Sequence, residues 1–207
     1  MDGKIANSSD RKNSKDGKIT KTNAMSLYSV TQETCEATEF IVKKTNEIPT
    51  GLELLKRVNI ENSIIVFDAL NTQIKTIEYI TKNHGFYVVP VKGNQPTLEE
   101  NIQLFFADEH NYKKETGKNY YKIAEKAHGN VETREYLFSN DIDWLYQKGE
   151  WSELKFIGYA KRTYINNDGK KTSDTRYFIS NIEGNKIQLL SNAIRGDGKL
   201  KTVCIYI

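Results

Sequence analysis

Asp68 closes the apolar run Ser63-Ile64-Ile65-Val66-Phe67, and a second apolar run, Phe86 to Val91, ends in Lys92-Gly93-Asn94-Gln95. An acid at the carboxyl end of a buried strand stands where open α/β sheets place their chemistry. A carboxylate there can move a proton or hold a hard cation; it can equally cap the next helix or close a turn. The amine, glycine and amides of the Lys92 loop could contact a phosphate, or form only a strand-to-helix turn. Other chemistry is poorly supported. His84, His110 and His128 stand alone, and there is no Walker loop, GxGxxG, GxSxG or HExxH. Cys35 and Cys204 are far apart and lack metal-ligand spacing, so they read as ordinary thiols. Carboxylates are the remaining resource, and Asp68 needs a second one.

The elements that would position Asp68 are legible around it. Four consecutive apolar residues in Ile64 to Phe67 are the pattern of a strand covered on both faces, so this strand should be central. Ile74, Ile77 and Ile80 recur on one side of a helix that ends at His84-Gly85, with glycine in the left-handed closing position. Phe86 to Val91 returns as a strand, and strand, crossover helix and strand give a right-handed parallel unit. Asp68 and the Lys92 loop should then share one rim. Thr97-Leu98-Glu99-Glu100 has the form of a capping box opening a helix with Leu98, Ile102, Phe105 and Phe106 on its apolar face.

Before this unit, Met25–Thr31 and Thr38–Lys43 read as strands joined through Gln32 to Glu36, and Asn46–Arg57 reads as a helix with Pro49 in its first turn. After it, His110–Asn119 is a polar break. Short β-rich runs follow at Tyr120–Ala124, Val131–Phe138, Leu154–Tyr164 and Thr175–Ile179, with a turn at Asn166-Asn167-Asp168-Gly169. Gly184–Ile194 reads as a last helix, with Ile187, Leu190 and Ile194 on one side. Trp144 and Trp151 read as core of the β-rich part rather than base-stacking wedges.

Length and charge set the outer bounds. The chain has 207 residues, 38% of them hydrophobic, with a mean hydropathy of −0.63, which suits one medium soluble domain. No membrane span or signal-peptide core is present in the sequence, so a cytoplasmic location is expected. A net charge of +3 permits a nucleic-acid partner without demanding one. Residues 2–23 hold almost no apolar side chains and read as a mobile arm whose cations, Lys4 among them, suit phosphate contacts or plain solvation.

At this point the chain resembles a known family, the insertion-sequence transposases of the H-repeat-associated kind, which carry a DDE active site on a ribonuclease-H-like fold. The resemblance runs, in order, through Asp2-Gly3-Lys4, Ile65-Val66-Phe67-Asp68-Ala69, Val91-Lys92-Gly93-Asn94-Gln95-Pro96-Thr97-Leu98, His128-Gly129-Asn130-Val131-Glu132-Thr133-Arg134 and Thr175-Arg176-Tyr177-Phe178-Ile179-Ser180. Each piece is short, and their collinear order is what is specific. Asp143-Trp144-Leu145 and Glu150-Trp151 add to it.

The resemblance implies an α/β fold: a ribonuclease-H-like mixed sheet with flanking helices and a β-rich insertion. Its organisation would be an arm at 1–24, a core at 25–110, the insertion at 111–182, the start of a C-terminal catalytic helix at 183–196 and a tail at 197–207. It implies phosphoryl transfer on DNA at transposon ends, with Asp2 and Asp68 as the first two acids and as ligands of Mg2+ or Mn2+. Two hard cations held by carboxylate oxygens would activate a water or 3′-hydroxyl and stabilise the leaving oxygen. Lys4, Lys92, Asn94, Gln95 and Arg134 would contact the DNA, and the partners would include a second copy or an intact transposase.

Two departures accompany the resemblance. Family members have a helical region and a core strand before their Asp-Gly-Lys. Beyond a stretch like Arg195-Gly196 they continue into His-Trp-x-Ile-Glu-Asn, whose glutamate is the third acid, whereas this chain reads Asp197-Gly198-Lys199-Leu200. One coding of Gly198–Ile207, read one base earlier, gives Trp-Lys-Ile-Glu-Asn, so the tail is expected to be out of frame, the site to lack its third acid, and the chain to be a truncated, catalytically inactive fragment of a transposase. Two other readings stay open: a non-catalytic DNA-binding or inhibitory fragment, and an unrelated α/β module with a small-molecule pocket at the Asp68 rim.

Overall fold

Ile64, Ile65, Val66 and Phe67 are all buried, as a strand with side chains packed on both faces requires. The computed structural model that places them describes residues 11–12, 19–20, 23–29, 31, 33–41, 47–127, 130–183, 186–197 and 203–206. In chain order the elements are β1 (Arg11–Lys12), β2 (Ile19–Thr20), β3 (Asn23–Ser29), β4 (Thr34–Ile41), α1 (Glu47–Leu55), β5 (Ile64–Val66), α2 (Ile74–Lys82), β6 (Phe86–Val91), α3 (Pro96–Ala107) and α4 (Glu109–Thr116). Then come β7 (Tyr120–Ala127), β8 (Asn130–Ser139), β9 (Phe156–Ile165), β10 (Lys171–Ser180), α5 (Ile187–Asp197) and β11 (Val203–Tyr206).

β1 and β2 pair with each other, and the other nine strands form one mixed sheet in the order β4-β3-β11-β5-β6-β10-β9-β8-β7. β5 and β6 are parallel, with α2 as their crossover, as expected. β10 pairs antiparallel with β6, so the β-rich insertion extends the core sheet instead of standing apart from it. The segment 203–206, expected to be a tail, lies between β3 and β5, parallel to the first and antiparallel to the second.

The sheet divides its side chains between two cores. One face carries Ile65, Phe67, Tyr87, Val89 and Val91 against Leu54 and Leu55 of α1, Ile77 and Ile80 of α2, and Leu98, Ile102, Phe105 and Phe106 of α3. The other carries Ile64, Val66, Val88, Tyr136, Phe138, Phe156 and Phe178 against Leu190, Ala193 and Ile194 of α5. This alternation along single strands is the period of two that a sheet with helices on both faces imposes. The described architecture is the α/β, ribonuclease-H-like mixed sheet with flanking helices and a β-rich insertion.

Several local expectations are corrected. Ile74 is exposed, so the buried face of α2 is made by Thr76, Ile77, Ile80 and Thr81. The left-handed residue after α2 is His84, at φ 56°, and Gly85 serves a different need. A Cβ at Gly85 would lie 3.1 Å from the Ile60 carbonyl oxygen and 3.0 Å from Ile80 Cγ2, so glycine is there for close approach. The capping box at Thr97 does not form: α3 starts two residues earlier than that box requires, with Pro96 in its first turn and Gln95 as an N-cap that makes no side-chain capping bond. The polar break after α3 is the helix α4, capped by Asp108, whose carboxylate accepts from Asn111 N at 2.9 Å. Trp151 is core, but Trp144 is 41% exposed and stacks on Phe105 with centroids 5.0 Å apart.

Candidate functional site

The rim at the carboxyl ends of β5 and β6 is built from two turns fastened together. Phe67 anchors the first turn in the core at 1% exposure, and the next residue, Asp68, is exposed with extended backbone. Asp68 Oδ1 accepts from Ala69 N at 2.7 Å and so caps the 3-10 turn Ala69–Asn71. The second turn, Lys92 to Gln95, is closed by Gln95 N donating to Lys92 O at 2.6 Å, and α3 follows at once.

Three side chains tie the turns. Asn94 Nδ2 donates to Ala69 O at 2.6 Å, Gln95 Nε2 to Thr72 O at 3.3 Å, and the fully buried Thr72 Oγ1 to Pro90 O at 2.7 Å. The result is a preset geometry in which an exposed carboxylate and an exposed lysine share one rim. Asn94 and Gln95, expected to meet DNA, turn their amide nitrogens toward this fastening. No sequence pattern marks Thr72, because its partner Pro90 is distant along the chain and no periodicity links the two.

Arg134 is not on this rim. It lies on β8, opposite Arg162 of β9, and Glu132 pairs with both guanidiniums. Burial works to raise the Glu132 carboxyl, but the hydrogen bond from Arg162 and the charges of Arg134, Arg162 and Arg195 outweigh it and hold the group below the usual carboxylate range. A folded-state value below the unfolded one adds stability that is present above the unfolded value, about 4.3, and is lost as pH falls through the folded value. Urea midpoints of the wild-type chain should therefore drop more between about pH 6 and about pH 3 than those of Glu132→Gln. An equal drop in both would remove this linkage.

Asp2, Lys4 and His128 lie outside the described residues. Among the described residues no group of three or more His, Cys, Asp or Glu side chains could hold a metal ion. A divalent cation takes six or more oxygen ligands, several from carboxylates or water. Asp68 can supply one carboxylate at the rim, with one of its oxygens also serving Ala69 N. Taken alone, the described residues fit a metal only in part.

An exposed strand-end carboxylate beside a lysine-bearing turn, on a ribonuclease-H-like sheet with a β insertion, defines a class of α/β protein built for work at the strand ends. A family model described as "Transposase DDE domain" matches residues 5–181, and the chain belongs to that family. Family members of this kind generally use divalent metal ions and act on DNA.

YbfD of Escherichia coli (strain K12), whose name assigns it to the H repeat-associated transposases, is 35% identical over 146 residues, covering 70% of this chain and 55% of the relative. YhhI of the same strain, named in the same way, is 32% identical over 145 residues, 68% of this chain and 38% of the relative. A Xanthobacter autotrophicus protein named for its place in the dhlA 3′ region is 33% identical over 141 residues, 66% of this chain and 45% of the relative. The chain thus spans about half the length, or less, of these relatives. No solved structure matches. Among the described residues, no helix is long and apolar enough to cross a membrane.

Proposed function

We propose that the chain carries part of the machinery of DNA transposition, a metal-dependent cutting and joining of DNA at transposon ends centred on the Asp68 rim. The observation that carries this reading is the fastening of the Asp68 turn to the Lys92 turn in a chain of the transposase DDE domain family. Asp68 would be one carboxylate ligand of Mg2+ or Mn2+ and Asp2 the second; the metal, when bound, supplies Lewis-acid stabilisation of the reacting phosphate. Lys92 would hold a neighbouring DNA phosphate as a point charge, with Lys4 adding a further contact. Asn94 and Gln95 keep the Lys92 turn in place through one N–H each, and the second N–H and the carbonyl oxygen of each amide would face DNA. The work would be done in the cytoplasm, on paired DNA ends held by a second copy or an intact transposase.

The test is binding and nicking of duplex DNA by the full chain, with Mg2+ or Mn2+ and with chelator. Because the third acid is expected to be missing, the full chain should hold duplex DNA more tightly with metal than with chelator, lose that difference in Asp68→Ala, and nick DNA weakly or not at all. Nicking that ignores both chelator and Asp68→Ala overturns the reading.

A second reading follows from the single carboxylate that the described residues place on the rim: a module that holds DNA without cutting it. Tight DNA binding with no nicking, indifferent to metal and to Asp68→Ala, selects this second reading over the first.

A further inference from the structure

Beyond the ends of β5 and β6 the sheet continues in β8, β9 and β10, and the α5 face changes character along these strands. Near the core, one cross-strand row is Phe138, Gly158 and Phe178, covered by α5. The next row outward is Tyr136, Ala160 and Arg176, and the next is Arg134, Arg162 and Asp174. Where α5 ends, Ile194 and Arg195 border a half-open hollow of about 230 Å3 against these rows, and Lys161 completes the lining. A water in the liquid occupies about 30 Å3, so there is room for a phosphate group with its ester oxygens.

Collecting Arg134, Lys161, Arg162, Arg176 and Arg195 around one hollow is electrostatically unfavourable unless anions offset it. The protein offsets part of it. Glu132 bridges Arg134 and Arg162, Glu125 pairs with Arg195, and Asp174 with Arg176. Glu135 faces Lys161, and among the described residues these four carboxylates are still fewer than the five cations, so the hollow keeps a small positive excess. The pairs also fix the guanidiniums: a guanidinium has about five N–H donors, and the pairs with Glu132 occupy a single nitrogen of Arg134 and of Arg162. The side chains of Arg162 and Arg176 remain about half exposed. An alanine at 160 and an aromatic at 136 give the floor small, apolar relief, so the lining offers cationic donors around a shallow hollow. A planar, preset fork is the donor geometry that phosphate oxygens accept best.

We propose that this hollow is a second contact for duplex DNA, holding a backbone phosphate away from the strand-end carboxylate. The proposal rests on DNA being the partner of the Asp68 rim. Its position supports the pairing of the two sites. Tyr177 pairs with Val91 in the β10–β6 register, so Arg176 is one step beyond it, beside Lys92. A cationic track therefore runs from the Lys92 turn across β10 and β9 to β8 and the end of α5. A duplex carries charge at about every 1.7 Å of its axis, so one molecule spanning the track meets both sites. The track reads no bases and adds affinity without sequence preference.

The experiment is the salt dependence of binding to a duplex of arbitrary sequence, using the full chain, Lys92→Gln, and the double variant Arg162→Gln/Arg176→Gln, with circular dichroism to establish folding. Neutralising one fewer phosphate lowers the steepness of log K against log salt by about 0.9. The double variant should reduce the slope by about 1 to 2 and weaken low-salt binding by at least about tenfold, and Lys92→Gln should reduce it separately. A folded double variant with unchanged slope overturns the hollow while a Lys92 effect keeps the rim. Absence of any salt-dependent DNA binding by the wild-type chain overturns both. Arg195→Gln provides a further variant outside the β strands: an unchanged slope in it and in the double variant removes the hollow even if one of them is poorly folded.

Discussion

Replacing Gly158 by alanine should cost the chain about 3 kcal/mol or more of stability, the upper end of what overpacking a core does. A Cβ at this position would lie 2.1 Å from Phe138 Cδ1, 2.8 Å from Phe138 Cε1 and 2.9 Å from the Leu137 carbonyl oxygen. The ring has little room to withdraw. Phe138 is 1% exposed, and its centroid lies 4.9 Å from that of Phe156 on the same face. The Leu137 oxygen belongs to a ladder that pairs β8 with β9, so backbone must give as well. Urea denaturation of the wild type and Gly158→Ala would report the loss as a lower midpoint at similar m-value. The double variant Gly158→Ala/Phe138→Leu frees the contested space, so it should recover part of the loss and be markedly non-additive. Additive costs would mean that the ring is not what the new methyl meets.

The second large effect is expected at Asn181, which is 1% exposed. Its Oδ1 accepts from Tyr87 N at 2.8 Å and its Nδ2 donates to Gly85 O at 3.3 Å, so one side chain pairs two backbone groups at the start of β6. Beside it, Ser180 Oγ donates to Tyr87 O at 2.7 Å and accepts from Ile182 N at 3.0 Å. Together these fasten the end of the insertion to the strand that leads to Lys92. Asn181→Leu keeps the volume and removes both partners, leaving a buried N–H and a buried carbonyl unpaired. At about 1 to 3 kcal/mol for each such group, the loss should be about 3 to 5 kcal/mol, read as a fall in the urea midpoint.

Asn181→Asp gives a sharper result. It keeps the acceptor for Tyr87, but it sets a carboxylate against the Gly85 oxygen in a buried place. Its folded-state pKa is raised, so the variant should gain stability as pH falls. A flat pH response in Asn181→Asp would show that water reaches the site.

The rim was legible in sequence because its two strands are short apolar runs, each closed by a polar residue of the type such ends require. The parallel unit Ile64–Val66, α2, Phe86–Val91 follows from those runs and from chirality alone. The β9–β10 hairpin was equally plain, since Asn166-Asn167-Asp168-Gly169 supplies Gly169 at φ 76° and the Asn166 side chain accepts from Asp168 N and Lys170 N. α4 was not legible, because its residues have almost no apolar face and its support is local: the Asp108 cap and a Lys113–Glu109 pair. An Asp followed three residues later by a polar residue, with an i, i+4 charge pair beyond it, is the signal that was available.

The arginine hollow was invisible for another reason. Arg134, Arg162, Arg176 and Arg195 are brought together only by the register of three strands and the end of a helix, and no spacing along the chain anticipates that register. Asp68 shows the limit of pattern from the other side. The capping role and the functional role predict the same residue at the same place, and the capping bond to Ala69 is compatible with both.

The place of β11 in the sheet bears on how the molecule is assembled in time. Leu27 of β3 pairs with Val203, and Ile65 of β5 with Ile205, so the two inner edges of the sheet are joined by a strand that comes from far along the sequence. Until that strand arrives, β3 and β5 each present unpaired backbone groups, the kind of open edge that recruits strands from other chains. Such long-separated pairings form slowly, because chain closure must be completed before its contacts reward it. A growing or refolding chain therefore passes through a period in which the hairpin β3–β4 and the pair β5–β6 are two unjoined pieces. Crowding, temperature and chaperone supply during that interval decide how much of the chain reaches the joined sheet.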